Sequence, residues 1–186
     1  KKKLRETDEK KPVSPYALAK LAGYEIVKSY REMFNLSVFS IIPFNHESPL
    51  RGDSYVIKKI VSGADKIKLG KINKIVLGNI NIKRDWGWAP EYVQGFYKAM
   101  KSQTVNDYII ATGKTTSLKE IIKIVFKKKI LIGKNLNWKK HISYSKKNFR
   151  KYDIIENYAD TSSIKKKLKW SPKFTIHQVI NKISQQ

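Results

Sequence analysis

Apolar positions along the chain switch repeatedly between two periods. Over residues 14 to 34, "SPYALAKLAGYEIVKSYREMF", they recur three or four apart behind Ser14 as N-cap and Pro15 at the first helical position, which predicts a helix. "SVFSIIPF" (37 to 44) reads as a short strand of buried type, and "NHESPLRGDS" as a polar loop. A helix is predicted from about Tyr55 to Lys68, then a strand over "KIVLG" (74 to 78) and a polar stretch reaching "RDWGW". Pro90 starts a further helix that runs to about Gln103. "DYIIATG" is a strand ending in glycine, and "TSLKEIIKIVFKK" is a helix with Ser117 and Glu120 at capping-box spacing. Short strands are expected around 130 to 132 and 141 to 144. Two helices, near 161 to 168 and 175 to 184, follow on either side of "WSPKF". Strands alternating with helices indicate an α/β chain.

Composition narrows this picture. At 186 residues the chain is long enough for one sizeable domain or a substantial piece of a larger one. With 41% hydrophobic and 11% aromatic residues it has the material for a packed core. No apolar run reaches membrane-spanning length and "KKKLRETDEKK" lacks the apolar segment of a signal peptide, so a cytoplasmic protein with no membrane contact is expected. Cysteine is absent and the three histidines are scattered, so no metal is expected. A net charge of +24 points first to a polyanionic partner. Against that, 34 lysines stand beside only 5 arginines, whereas base readout favours arginine. Abundant Ile and Asn also suggest a nucleotide bias in the gene, and nucleic acid is not the expected partner.

The candidate chemistry begins with Tyr16 and Lys20, one helical turn apart and so on one face. A lysine there favours the phenolate and lowers the tyrosine pKa from its usual value near 10, which suits a general acid or base. As a bare pattern the pair decides nothing. Tyr24–Lys28, Tyr55–Lys59 and Tyr97–Lys101 share the spacing, and composition alone supplies about two such matches. No glycine-rich strand-to-helix turn, G-x-G-x-x-G or G-x-x-G-x-x-G, occurs anywhere.

The flanks decide more. "SPYALAK", "YREMF", "FNHESPLRG", "LGNINIKRDWGWAPEYV", "DYIIATG" and "NFRKYDIIENYADTSSIKKKLKWSPKFT", in this order and spacing, resemble the GDP-mannose 4,6-dehydratase family of extended short-chain dehydrogenases/reductases. The resemblance covers essentially the whole chain. It implies an incomplete Rossmann sheet plus a smaller α/β substrate-binding domain. Residues 1–52 would be the remnant of the NADP-binding part, and 53–186 mainly the GDP-sugar-binding part with segments returning to the first. It also implies NADP as cofactor, GDP-mannose as substrate, and a homodimer or homotetramer for the complete protein. The reaction would be oxidation at C4, loss of water across C5 and C6, and return of the hydride to C6, giving GDP-4-dehydro-6-deoxy-D-mannose.

Residue by residue, the resemblance makes Tyr16 the active-site tyrosine acting on the sugar O4. Lys20 becomes the lysine that holds the nicotinamide ribose and tunes the tyrosine. His46 and Arg51 become NADP contacts. Asn45 and Lys59 fall near the GDP-sugar, and Arg84 and Arg150 match arginines that hold the nucleotide. An arginine fork suits pyrophosphate or ribose oxygens. Read without the resemblance, Arg84 is as readily an ion-pair partner of Asp85, and Trp86 and Trp88 read as packing residues. The sequence departs from the family at Leu50, where an arginine often stands, at Lys58, again in place of arginine, and at Asp153 in place of a glutamate. In the family a nucleotide-binding βαβ array and a base, a glutamate, precede the tyrosine; here fifteen residues do. The expectation is therefore a C-terminal portion that by itself binds NADP weakly, exposes an apolar face and lacks activity. Glu6 and Glu9 belong to the loop before the tyrosine and do not replace that base. A related nucleotide-sugar epimerase or reductase is the neighbouring alternative, and a basic nucleic-acid-binding module the distant one.

Overall fold

Ser14 opens the first helix as its residue type predicts: its Oγ accepts from Ala17 N–H at 3.1 Å, and Asn35 at φ 50° closes the helix in the left-handed region. The computed structural model describes residues 3–130, 137–145 and 154–185. In chain order its elements are α1 (Pro15–Phe34), β1 (Ile41–Pro43), β2 (Asn45–Glu47), α2 (Val56–Lys68), β3 (Ile75–Leu77), β4 (Lys83–Trp88) and α3 (Ala89–Met100). There follow β5 (Tyr108–Ile110), β6 (Thr115–Ser117), α4 (Leu118–Ile130), α5 (Trp138–His141), β7 (Ile142–Tyr144), α6 (Ser162–Leu168) and α7 (Ile176–Ile183). Three small sheets result: β1 parallel to β5, β3 parallel to β7, and β2–β4–β6 with β2 parallel and β6 antiparallel to the central strand. This is an α/β fold, as the alternation of elements implies.

The strand expected over 37 to 44 is divided. Ser40 N–H donates to Asp107 Oδ1 at 2.7 Å and the Val38 carbonyl accepts from Arg31, so side chains satisfy this backbone before any ladder starts. Phe44 N–H still reaches the Ile110 carbonyl at 2.9 Å, after which the chain leaves β5 and pairs with β4 as β2. The segment read as polar loop thus begins as a strand. "KRDWGW" is also a strand; with Asp85, Trp86, Gly87 and Trp88 all buried it shows no in–out alternation to read. The helix begun at Pro90 ends at Met100, three residues early, and α4 continues to Ile130, so the strand expected from 130 starts within helix. Residues 131 and 132 lie outside the described residues. Of the segment 141 to 144, His141 closes the one-turn α5 and only 142–144 are strand.

Two capping boxes hold as their sequences imply. Glu120 Oε2 accepts from Ser117 N–H at 2.7 Å and Ser117 Oγ accepts from Glu120 N–H at 3.1 Å, while Thr175 and Gln178 make the same exchange at α7. The main core lies between α2, α4 and α7 and the strands β3, β4 and β7, with Ile57, Ile60, Ile121, Ile122 and Ile180 fully buried. A second core joins Tyr92, Tyr108, Ile110, Ile164 and Trp170 under β5, where Tyr92 meets Trp170 edge-on at 6.0 Å.

α1 stands apart from both cores and buries none of its residues. It is tied down by Asp107, just before β5: Arg31 grips the carboxylate with two bonds of 3.0 and 3.1 Å, and Tyr24 OH donates to it at 3.0 Å. The outer edge of β5 is met by Glu6, whose Oε1 accepts from Ile109 N–H at 2.9 Å. The outer edge of β1 has no strand neighbour among the described residues.

Candidate functional site

Helical spacing places Tyr16 and Lys20 on one face of α1, with the Lys20 ammonium 5.6 Å from the Tyr16 ring centroid. Tyr16 is 73% exposed, so the pair borders solvent in this chain. Glu6, already bonded to Ile109 N–H, serves the strand edge, in keeping with its place in the loop before the pair.

The second group of candidates lies on β2 and the turn into α2. Pairing with β4 sets Asn45 opposite Trp86 and His46 opposite Gly87. His46 Nδ1 is 2.9 Å from the Phe44 carbonyl, and its ring lies 5.4 Å from that of Tyr92. That approach needs Gly87, because a Cβ there would come within 2.3 Å of the Tyr92 ring. Arg51 lies with its guanidinium 3.6 Å from the centroid of the Tyr55 ring and its Nε 3.8 Å from Glu47 Oε2. Burial pushes the Glu47 carboxyl up to about 7, with Arg51 pulling the other way. Lys59 is half-buried on the first turn of α2. Among the described residues, neither Tyr16 nor Lys20 is bonded to this second group.

Arg84 is half-buried on β4 and donates to its neighbour's carbonyl, Lys83 O, at 2.8 Å. Successive strand positions face opposite sides, and Asp85 is directed elsewhere. It accepts from Thr112 N–H (2.8 Å), Thr112 Oγ1 (2.7 Å) and Gly113 N–H (2.7 Å), clamping β4 to the turn after β5. Burial raises the Asp85 carboxyl, and these donors pull it back. Gly113 makes this turn at φ 72°, where a side chain is strained. Trp86 and Trp88 are core residues, in agreement with their reading as packing. Arg150 and Asp153 lie outside the described residues. A cavity of about 470 Å³ opens between Gly78, Asn79, Asn81, Lys119, Trp138 and Tyr144, and its lining among the described residues contains none of the sequence candidates.

Glu47, Asp85 and Tyr92 were not among the sequence candidates. A signal was present for Asp85: a lone carboxylate just ahead of two tryptophans marks a buried charge that needs donors. Glu47 carries no such mark, since a polar run looks solvated until β2 is seen to pair.

The arrangement of small parallel sheets and flanking helices is that of nucleotide-sugar dehydratases and epimerases of the extended short-chain dehydrogenase/reductase group. The structure of RMD from Pseudomonas aeruginosa complexed with NADPH superposes with a TM-score of 0.83 at 20% identity, covering 98% of this chain and 59% of that one. That of dTDP-glucose 4,6-dehydratase from Bacillus anthracis in complex with NAD gives 0.85 at 20% identity, covering 100% and 55%. The family model for GDP-mannose 4,6 dehydratase matches residues 1–183, and the chain belongs to that family. GDP-mannose 4,6 dehydratase 1 of Arabidopsis thaliana is 36% identical over 169 residues (91% of this chain, 45% of the relative). The human GDP-mannose 4,6 dehydratase is 34% identical over 194 residues (96% and 51%). The chain thus spans about half the length of these curated relatives. No helix among the described residues is long and apolar enough to cross a membrane.

Proposed function

We propose that this chain supplies the proton-transfer pair and part of the nucleotide-sugar site of a cytoplasmic GDP-mannose 4,6-dehydratase. One observation carries the reading: within a chain matched to the family over residues 1–183, Tyr16 and Lys20 lie together on an open helix face. Tyr16 exchanges the proton of the sugar O4 while Lys20 holds the nicotinamide ribose. His46 and Arg51 contact NADP; Asn45, Lys59, Arg84 and Arg150 hold GDP-mannose. The residues present fit such a cofactor, because Arg51 offers a part-exposed guanidinium beside a polar strand end, its Nε turned to Glu47 and its fork of terminal nitrogens suited to a phosphate. Bound beside these residues, NADP would supply the hydride chemistry that links C4 and C6 of the sugar. Residues 1–52 serve the cofactor side and 53–186 mainly the sugar-nucleotide side; the pairing of β1 with the distant β5 supports segments that return from the second region to the first. The complete protein works as a homodimer or homotetramer.

The test is GDP-mannose turnover with NADP by this chain completed to its relatives' length with the upstream segment of one of them. Turnover is expected, and Tyr16→Phe is expected to lower kcat by about 10²–10⁴-fold, the usual worth of a positioned acid or base. Turnover that survives Tyr16→Phe overturns the assignment of the pair. NADP affinity, measured by calorimetry, is expected to fall in Lys20→Ala and to change little in Tyr16→Phe.

A further inference from the structure

Two buried polar atoms, Glu47 Oε2 at the end of β2 and Arg51 Nε in the turn that follows, have no hydrogen-bond partner among the described residues. They face one another at 3.8 Å, an ion-pair distance too long for a hydrogen bond. The Glu47 side chain is 1% exposed, so its carboxylate has no water to fall back on and Arg51 is the cation that compensates it. On its face the guanidinium is covered by the Tyr55 ring. With the Nε edge and one face occupied, the two terminal nitrogens are what the fork has left for an anion.

We propose that Glu47 is a positioning residue for Arg51: its carboxylate holds the Nε edge of the guanidinium, so that the terminal nitrogens meet a phosphate-bearing ligand in one fixed orientation. This rests on the reading of Arg51 as a cofactor contact and adds to it the group that aims it. The hold exists only while Glu47 is ionised. Burial brings its carboxyl to about 7, so the clamp closes as pH rises through neutrality and opens below it. Titratable and charged groups on the elements near β2 include His46 on the strand itself, Lys83, Arg84 and Asp85 on β4, Glu91 and Tyr92 on α3, Lys58 and Lys59 on α2, and Lys182 on α7, whose ammonium lies 5.7 Å from the ring of Trp88 opposite Glu47. Glu91 is already engaged by Lys173 and Phe174 N–H, and Lys58 by the Pro49 carbonyl.

The experiment is an NMR titration of the chain that follows the Glu47 carboxyl carbon and the Arg51 Nε–H together. A shared midpoint at about 7 is expected, with slower Nε–H exchange above it. In Arg51→Met the Glu47 midpoint rises, and in Glu47→Gln, which keeps the side-chain shape, the Arg51 signal loses its pH step. A Glu47 midpoint in the ordinary range of about 4–5, or an Arg51 signal indifferent to it, overturns the proposal. NADP calorimetry on the chain completed with the upstream segment of a relative tests the underlying reading separately. Glu47→Gln is expected to weaken binding about tenfold at pH 8 and to flatten its pH profile. If Arg51→Met leaves NADP affinity unchanged, the cofactor contact falls, while the titration still decides whether Glu47 positions Arg51.

Discussion

At the residue scale, Asp85 is a buried carboxylate whose partners are far away in sequence. Asp85 is fully buried and receives three donors from Thr112 and Gly113, 27 and 28 positions on. Removing its charge while keeping its shape isolates what those donors are worth. In Asp85→Asn one amide oxygen can still serve Thr112, but the new NH₂ faces Gly113 N–H and leaves a buried donor unpaired. A loss of about 1–3 kcal/mol is expected, read as a lower urea midpoint at unchanged m value. An unchanged midpoint would show that the clamp contributes nothing to stability. The sequence announced the type of residue here but not its direction. "RDWGW" invited an Arg84–Asp85 pair, and strand geometry instead sends the two side chains to opposite faces. The capping pair Ser117–Glu120 was legible because both partners lie within one turn.

At the element scale, local rules located the helices and the strands β1, β3, β5 and β7, and missed the sheet formed by β2, β4 and β6. α1, α2, α3 and α4 begin within a residue or two of where caps, prolines and periodicity put them. β2, β4 and β6 depend on one another across up to 70 residues, and no short window contains that information. The same contrast explains how α1 is held. It has no buried face, so its attachment depends on Asp107, whose carboxyl is pushed up by burial but brought below its ordinary value by Arg31, Ser40 N–H and Tyr24. With the folded pKa depressed, the stabilisation is present above the unfolded value near 4 and is lost as pH falls through the lower folded value. Asp107→Ala is expected to raise amide hydrogen exchange across Pro15–Phe34 at pH 7 by about tenfold or more, with little change in α2 and α4. In the wild type the same loosening of α1 is expected on acidification below pH 4. Exchange that stays slow in α1 after the substitution would mean that other contacts hold the helix.

At the scale of the whole molecule two forces oppose each other. Outward on α1 stand Leu18, Ile26, Tyr30, Met33 and Phe34, with Met33 74% exposed, and β1 presents an open strand edge nearby in sequence. Such a surface favours association of copies. A net charge of +24 resists it by long-range repulsion, and that repulsion is screened over about 10 Å at 0.1 M salt. The apolar attraction is not screened, so added salt should tip the balance toward assembly. Sedimentation velocity of the chain at 50 and 500 mM NaCl is expected to show a larger weight-average coefficient at the higher salt. Ile26→Glu with Met33→Glu should abolish the rise without changing far-UV circular dichroism. The charge itself gives the opposite sign for a polyanion-binding protein: retention on DNA weakens steeply with salt, with a slope set by the phosphates contacted. Salt-promoted assembly that the two substitutions remove identifies α1 as the driving surface. A chain that stays monomeric at both salt concentrations would show that charge outweighs the exposed helix.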